Sequence, residues 1–254
     1  MTLELFNLTG KVALVTGGSK GLGKAMARGL AEAGADIVIS SRHEEELRRA
    51  LDEILKGTGR RGCAIVADMS RRREAGDLAK MAFERMGRVD ILINNAGTNK
   101  PQVTEQIRDE DWDQILEINL SSVMALTRAL VPQMKARRWG RIIHISSIMA
   151  FISKEGRNIY SATKAALLGM ARAEALELGA HGITVNCIAP GPFLTDLPAK
   201  ILSEEEKREF AKRTAVGRWG DPKELVGPAL LLASEAGRYI TGETLVVDGG
   251  YLAR

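Results

Sequence analysis

The sequence predicts a doubly wound α/β fold, one parallel sheet with helices on both faces. Three observations carry that prediction. Short apolar runs alternate with helix-length stretches along the whole chain, the pattern of a parallel sheet covered on both sides. The first run leads directly into a glycine-rich turn. Polar residues suited to chemistry recur just after the apolar runs, where this fold gathers its ligand-binding loops. With 254 residues and 45% hydrophobic content, one sizeable core is expected, and residues 1–254 are read as a single domain.

The elements follow in order. The run 11–16 (Lys-Val-Ala-Leu-Val-Thr) suits a strand buried on both faces. Gly17-Gly18-Ser19-Lys20-Gly21-Leu22-Gly23 forms the turn. A helix is expected over 24–33, with Ala25, Ala27, Leu30 and Ala31 as apolar positions and Gly34 as its stop. A strand over 36–40 completes a βαβ unit. Further strands are expected near 62–67, 90–94, 140–146, 183–189 and 243–247, with helical stretches between them, including 111–136 and 158–178. In this order Asp68 follows the third strand, Asn94 to Gly97 end the fourth, Ser146 and Ser147 follow the fifth, and Pro190-Gly191 follow the sixth.

Two features carry chemistry on their own. A glycine turn between strand and helix lets backbone approach a pyrophosphate seated on free helix N-terminal amides. Its spacing is G-x-x-x-G-x-G rather than the common G-x-G-x-x-G. The second feature is Tyr160-Ser161-Ala162-Thr163-Lys164, which puts a phenol and an ammonium on one helix face. At ~4 Å and an effective dielectric of ~20, that charge is worth roughly 4 kcal/mol. This is about three pKa units, enough to bring a tyrosine towards neutrality and make it a general acid and base.

Taken together, Thr16-Gly17-Gly18-Ser19-Lys20-Gly21-Leu22-Gly23, Asn94-Asn95-Ala96-Gly97, the set Asn119, Ser147, Tyr160 and Lys164, Pro190-Gly191 with Thr195, and Asp248-Gly249-Gly250 resemble the short-chain dehydrogenase/reductase family, from about residue 8 to 251. The resemblance implies a Rossmann-type sheet and hydride transfer between a nicotinamide cofactor and a secondary alcohol or ketone. It implies catalytic roles for Asn119, Ser147, Tyr160 and Lys164. Ser147 orients the carbonyl, Lys164 lowers the tyrosine pKa and holds the ribose, and Asn119 anchors a water that serves Lys164. Ser146 is the neighbouring alternative to Ser147. Cofactor contacts are implied at Gly17, Ser19, Lys20, Gly21, Leu22, Gly23, Asp68, Met69, Asn95, Ala96, Gly97, Tyr160, Lys164, Pro190, Gly191, Phe193 and Thr195. Asp68 is also a candidate helix N-cap, as is Thr195.

Charge argues for the cofactor. A carboxylate after the second strand favours NAD, and an arginine there accepts a 2′-phosphate. Here the strand ends in Ser41 and Arg42, with Lys20 as a second cation in the turn. NADP(H) is therefore expected.

A substrate lid is expected at 193–218, with Leu194, Leu197, Ile201, Leu202 and Phe210 facing inward and the charged run 203–208 facing solvent. Residues 148–152 and Asn99-Lys100 are candidates for the opposite wall. Lys100, Lys154 and Arg157 are the cations that could attract an acid. The chain is similar to sugar-acid reductases, gluconate 5-dehydrogenases among them, and to 3-oxoacyl-carrier reductases. A sugar acid or polyol ketone ranks ahead of a 3-oxoacyl thioester. A non-catalytic cofactor-binding regulator on the same fold is the alternative from another class, disfavoured because all four catalytic positions are filled.

The remaining features set limits. Net charge is +4. The clusters Arg71-Arg72-Arg73 and Arg137-Arg138 with Arg141 read as solvated helix ends, and no nucleic-acid partner is expected. No run reaches the ~18 apolar residues of a membrane span, and the N-terminus has no leader pattern. Cys63 and Cys187 read as buried free thiols in strands. His144 reads as a structural strand residue. No metal site is expected. These features favour a cytoplasmic enzyme. The family resemblance implies self-association as a homotetramer of two-fold symmetry, with a dimer as the alternative, and the small residues Ala165, Ala166, Gly169, Ala171 and Ala173 on the helix after Tyr160 read as a face that wants a second partner.

Overall fold

The computed structural model describes residues 3–195 and 203–253. Seven strands, β1 (Val12–Thr16), β2 (Asp36–Ser41), β3 (Gly62–Val66), β4 (Ile91–Asn94), β5 (Gly140–Ile145), β6 (Ile183–Pro190) and β7 (Thr244–Val247), form one sheet in the order β3-β2-β1-β4-β5-β6-β7. Every pairing is parallel. The helices are α1 (Gly21–Glu32), α2 (Glu44–Leu55), α3 (Arg72–Met86), α4 (Asp109–Leu116), α5 (Ser122–Arg137), α6 (Asn158–Leu178), α7 (Glu204–Arg213) and α8 (Val226–Ala233). The seven expected strands are all present.

Successive strand side chains point to opposite faces, so a strand buried on both sides feeds two cores. Val12, Leu14, Val38, Leu92, Ile142 and Val185 pack against α3, α5 and α6. Ala13, Val15, Ile37, Ile39, Ile91, Ile93 and Ile143 pack against α1, α2 and α8. Strand order reverses between β1 and β4, which places the cleft for a ligand at their carboxyl ends.

The structure corrects several local expectations. The stretch expected as one helix over 111–136 is α4 and α5 joined by a π-type turn, Glu117–Ser121, that carries Asn119. By length and composition alone Asp109–Arg137 could cross a membrane, but half of its apolar window is buried inside the protein, where Val123, Leu126, Leu130 and Met134 join the core. Asp68 is not the N-cap of α3, because Arg71 holds that position. Its carboxylate accepts from Ser70 N–H at 2.9 Å instead. Arg141 is not solvated. It is 3% exposed, bonds the Ser234 carbonyl and the Glu235 carboxylate, and stacks 4.4 Å over the Trp139 ring. Arg137 likewise turns inward to the Val89 carbonyl and Asp90. Cys63 and Cys187 are free, on β3 and β6.

Candidate active site

Two adjoining cavities open at the carboxyl ends of the strands and share Gly97 and Thr98. One, of about 480 Å³, is lined by Gly17, Ser19, Lys20, Ser41, Arg42, Asp68, Met69 and Ala96. The other, of about 320 Å³, is lined by Leu22, Asn95, Ser147, Tyr160, Lys164, Pro190, Gly191, Phe193 and Thr195. Most of the residues singled out in the sequence are therefore brought to one continuous cleft.

Gly21 and Gly23 shape this cleft rather than line it. Gly21 has φ +51°, and a Cβ there would meet the Thr195 methyl at 3.2 Å. A Cβ on Gly23 would run into the Gly17 carbonyl and the Asn95 amide. How Thr16 and Asn95 fasten this corner is not legible in the motifs. The Thr16 hydroxyl accepts from the Asn95 and Ala96 N–H groups, both at 3.0 Å. The Asn95 side-chain amide donates to the Thr16 and Gly17 carbonyls at 2.9 and 3.2 Å. Asn95 is thus a stitch between the β1 and β4 loops, its amide already engaged by protein.

In the pocket that holds Tyr160 the two serines separate. Ser146 donates to the Lys164 backbone carbonyl at 2.8 Å and ties β5 to α6. Ser147 caps the turn Ile148–Ala150 and stands close enough to the Tyr160 phenol to lower its pKa. Lys164 is 4% exposed, donates to the Ile145 carbonyl at 2.7 Å and lies 5.6 Å from the Tyr160 ring centre. Burial pushes Lys164 down to about 8, with Cys187 opposing. Burial pushes Tyr160 above its usual value, opposed by Ser147 and the Arg157 charge. This corrects the expected phenolate. In this geometry desolvation of the phenol outweighs any help from Lys164, whose ammonium is bonded to a carbonyl.

Asn119 lies behind the pocket wall. Its Oδ1 accepts from Thr98 N–H at 2.8 Å, and its amide donates to the Thr98 carbonyl and the Thr163 hydroxyl at 2.9 and 3.1 Å. The position a Cβ on Gly97 would take is 3.5 Å from Asn119 Oδ1 and 3.4 Å from Lys164 Nζ, so these two groups are neighbours across the glycine. His144 lines neither cavity. It is fully buried, with Nδ1 3.0 Å from the Asn94 amide and Nε2 donating to Glu174 at 2.9 Å.

Lys154 and Arg157 line the same pocket as Tyr160, with Phe210 and Trp219. Lys154 Nζ stands 5.0 Å over the Phe210 ring, and Phe210 packs on Trp219 at 5.6 Å. Burial lowers the pKa of both cations. Lys100 does not join them, because it is bonded to Asp111 at 2.6 Å. Ile148 and Met149 line the pocket, whereas Phe151 and Ile152 are exposed. Of the lid, α7 begins with a capping box between Ser203 and Glu206. Leu197, Ile201 and Leu202, and any N-cap role of Thr195 for the segment after it, lie outside the described residues.

The cofactor cleft has the donor set for a phosphate on the adenosine ribose. The Ser41 hydroxyl oxygen is buried without a hydrogen-bond partner, and Arg42 and Lys20 flank it. Glu46, absent from every motif in the sequence, also lines this cleft and forms an ion pair with Lys20. One turn into α2 from His43, it faces the cleft only because of how that helix is rotated, which no motif marks.

A family profile described as enoyl-(acyl carrier protein) reductase matches residues 17–252. The chain is 39% identical to the 2-dehydro-3-deoxy-D-gluconate 5-dehydrogenase of Dickeya dadantii over the whole of both chains. It is also 39% identical to a 3-oxoacyl-[acyl-carrier-protein] reductase of Vibrio cholerae, over 96% of this chain and 98% of that one. A gluconate 5-dehydrogenase from Burkholderia cenocepacia, solved in complex with NADP and tartrate, superposes with a TM-score of 0.92 at 36% identity over the full length of both.

Proposed function

The chain belongs to the short-chain dehydrogenase/reductase family of oxidoreductases, and we propose that it interconverts a sugar-acid alcohol and its ketone with NADP(H). The observation that carries the substrate class is the pair Lys154 and Arg157 in the pocket that holds Tyr160. Two cations beside the proton donor, the exposed Lys154 and the half-buried Arg157, suit a substrate with a carboxylate. An uncharged acyl chain would gain nothing from those charges. The Phe210 and Trp219 rings leave a 3-oxoacyl thioester as the second reading.

Ser41, Arg42 and Lys20 would hold the 2′-phosphate. Gly17, Ser19 and Ala96 would face the pyrophosphate, and Asp68 and Met69 the adenine. Pro190, Gly191, Phe193 and Thr195 would face the nicotinamide. When bound, the cofactor supplies or accepts the hydride. In reduction, Tyr160 gives its proton to the carbonyl oxygen as negative charge grows there, and Ser147 donates a hydrogen bond to the same oxygen. A raised tyrosine pKa keeps that proton in place until the oxygen becomes basic enough to take it. Lys164, with a pKa near 8, can pass a proton at neutral pH. Its neighbour Asn119 orients the water that resupplies it. Gly191 has no room for a side chain, since a Cβ would sit 2.6 Å from Asp248, so the pocket wall at this point is fixed.

The test is NADPH oxidation with 5-ketogluconate, a neutral ketose of the same length, and acetoacetyl thioester. Tyr160→Phe serves as the chemical control, expected to lose roughly 10²–10⁴-fold in rate. Lys154→Met with Arg157→Met is expected to raise KM for the ketogluconate by about tenfold or more while leaving the neutral ketose unchanged. Turnover of the thioester alone would overturn the sugar-acid reading.

A further inference from the structure

We propose that Glu46 is a cofactor-specificity residue, which weakens the grip on a 2′-phosphorylated nucleotide by competing with it for Lys20. The proposal rests on the NADP(H) reading of the cleft. The β2 end offers Ser41 and Arg42, and the glycine turn adds Lys20. Lys20 is not free to give its whole charge to an anion there, because its ammonium is already paired with the Glu46 carboxylate. That carboxylate is well shielded, with a side-chain exposure of 22% against 54% for Lys20, and it faces the same cleft. A dianionic phosphate entering beside Ser41 therefore meets one cation half-neutralised and one like charge nearby. An unphosphorylated ribose presents no such charge, so Glu46 acts on one class of nucleotide and not the other.

The neighbouring acids do not share this position. Glu44 pairs with Arg48 on the exposed face of α2, and Glu45 is exposed and outside the cleft. Glu45→Gln is thus a matched control for the loss of one negative charge from α2.

Calorimetric titration of the purified protein with 2′,5′-ADP and with 5′-AMP reads the effect without turnover. In the unaltered chain, 2′,5′-ADP is expected to bind more tightly than 5′-AMP. If it does not, the NADP(H) reading itself fails, whatever the variants show. Given that preference, Glu46→Gln should tighten 2′,5′-ADP about threefold to tenfold, the scale of one part-screened charge a few ångströms away. Binding of 5′-AMP should stay unchanged, and Glu45→Gln should match the unaltered chain for both ligands. The proposal is overturned if Glu46→Gln leaves 2′,5′-ADP affinity the same or weaker, if 5′-AMP tightens equally, or if Glu45→Gln reproduces the gain.

Discussion

Lys164 shows how residue chemistry and stability oppose each other. Its ammonium is 4% exposed and its pKa is lowered to about 8, against ~10.4 for a free lysine. The unfolded chain therefore holds more protons than the folded one between those values, and stability rises with pH across that window. Below pH 8 the buried charge is a standing cost, on the order of 3 kcal/mol from a shift of this size. Lys164→Met is expected to abolish turnover and yet raise Tm at pH 7, with the gain shrinking as the pH approaches 10. Thermal melts of the nucleotide-free protein across that range check this, and a variant less stable at pH 7 would refute it. The pairing of Tyr160 with Lys164 was legible from a spacing of four on a helix. The sign of the tyrosine's shift was not, because spacing reports proximity and says nothing about how much water each group loses. The same limit hid Glu46, whose role depends on the rotation of α2.

At the scale of elements, Asp111 at the start of α4 gathers the loop that follows Gly97. It is 4% exposed and accepts from Lys100 at 2.6 Å, Gln102 at 2.8 Å and Arg108 at 2.8 Å. The Gln102 backbone in turn bridges to Gly156 and Arg157, so this carboxylate helps seat one of the two pocket cations. Arg108 and Lys100 hold its pKa far below the usual carboxylate range. A group depressed in the folded state stabilises above its unfolded pKa and loses that contribution as pH falls below ~4. Asp111→Asn should therefore lower Tm at pH 7, with the gap to the unaltered chain narrowing below about pH 4 and closing only as the pH falls through the depressed folded value. A gap that stays constant between about pH 5 and about pH 2 would mean the carboxylate charge is not what matters. The strands were legible because residues buried on both faces are apolar without a break. The π turn at Asn119 was not, since one extra residue in a helical pattern leaves the apolar spacing on either side intact.

For the whole molecule, the exposed face of α6 carries Ala162, Ala166, Gly169, Ala173 and Leu176 at alternating spacings of four and three, with Leu176 88% exposed. Small residues repeated along one face allow close helix approach, and the face has no partner among the described residues. The prediction is a homotetramer of two-fold symmetry. Light scattering should give four times the 27.6 kDa chain mass, and Ala173→Glu should reduce it. A monomeric mass for the unaltered chain at micromolar concentration would refute the assignment.

The strand order β3-β2-β1-β4-β5-β6-β7 also bears on how the chain is made. β2 and β3 add outward from β1 on one flank, and β4 to β7 add outward on the other. Every strand after the first therefore meets a neighbour that has already left the ribosome. No strand after the first has to wait for a partner still to be translated, and the nucleotide half can assemble while the half carrying Tyr160 is being synthesised. A chain stalled after β5 should thus have five strands able to pair, in the order β3-β2-β1-β4-β5, so interrupted synthesis exposes an incomplete pocket rather than an unpaired sheet.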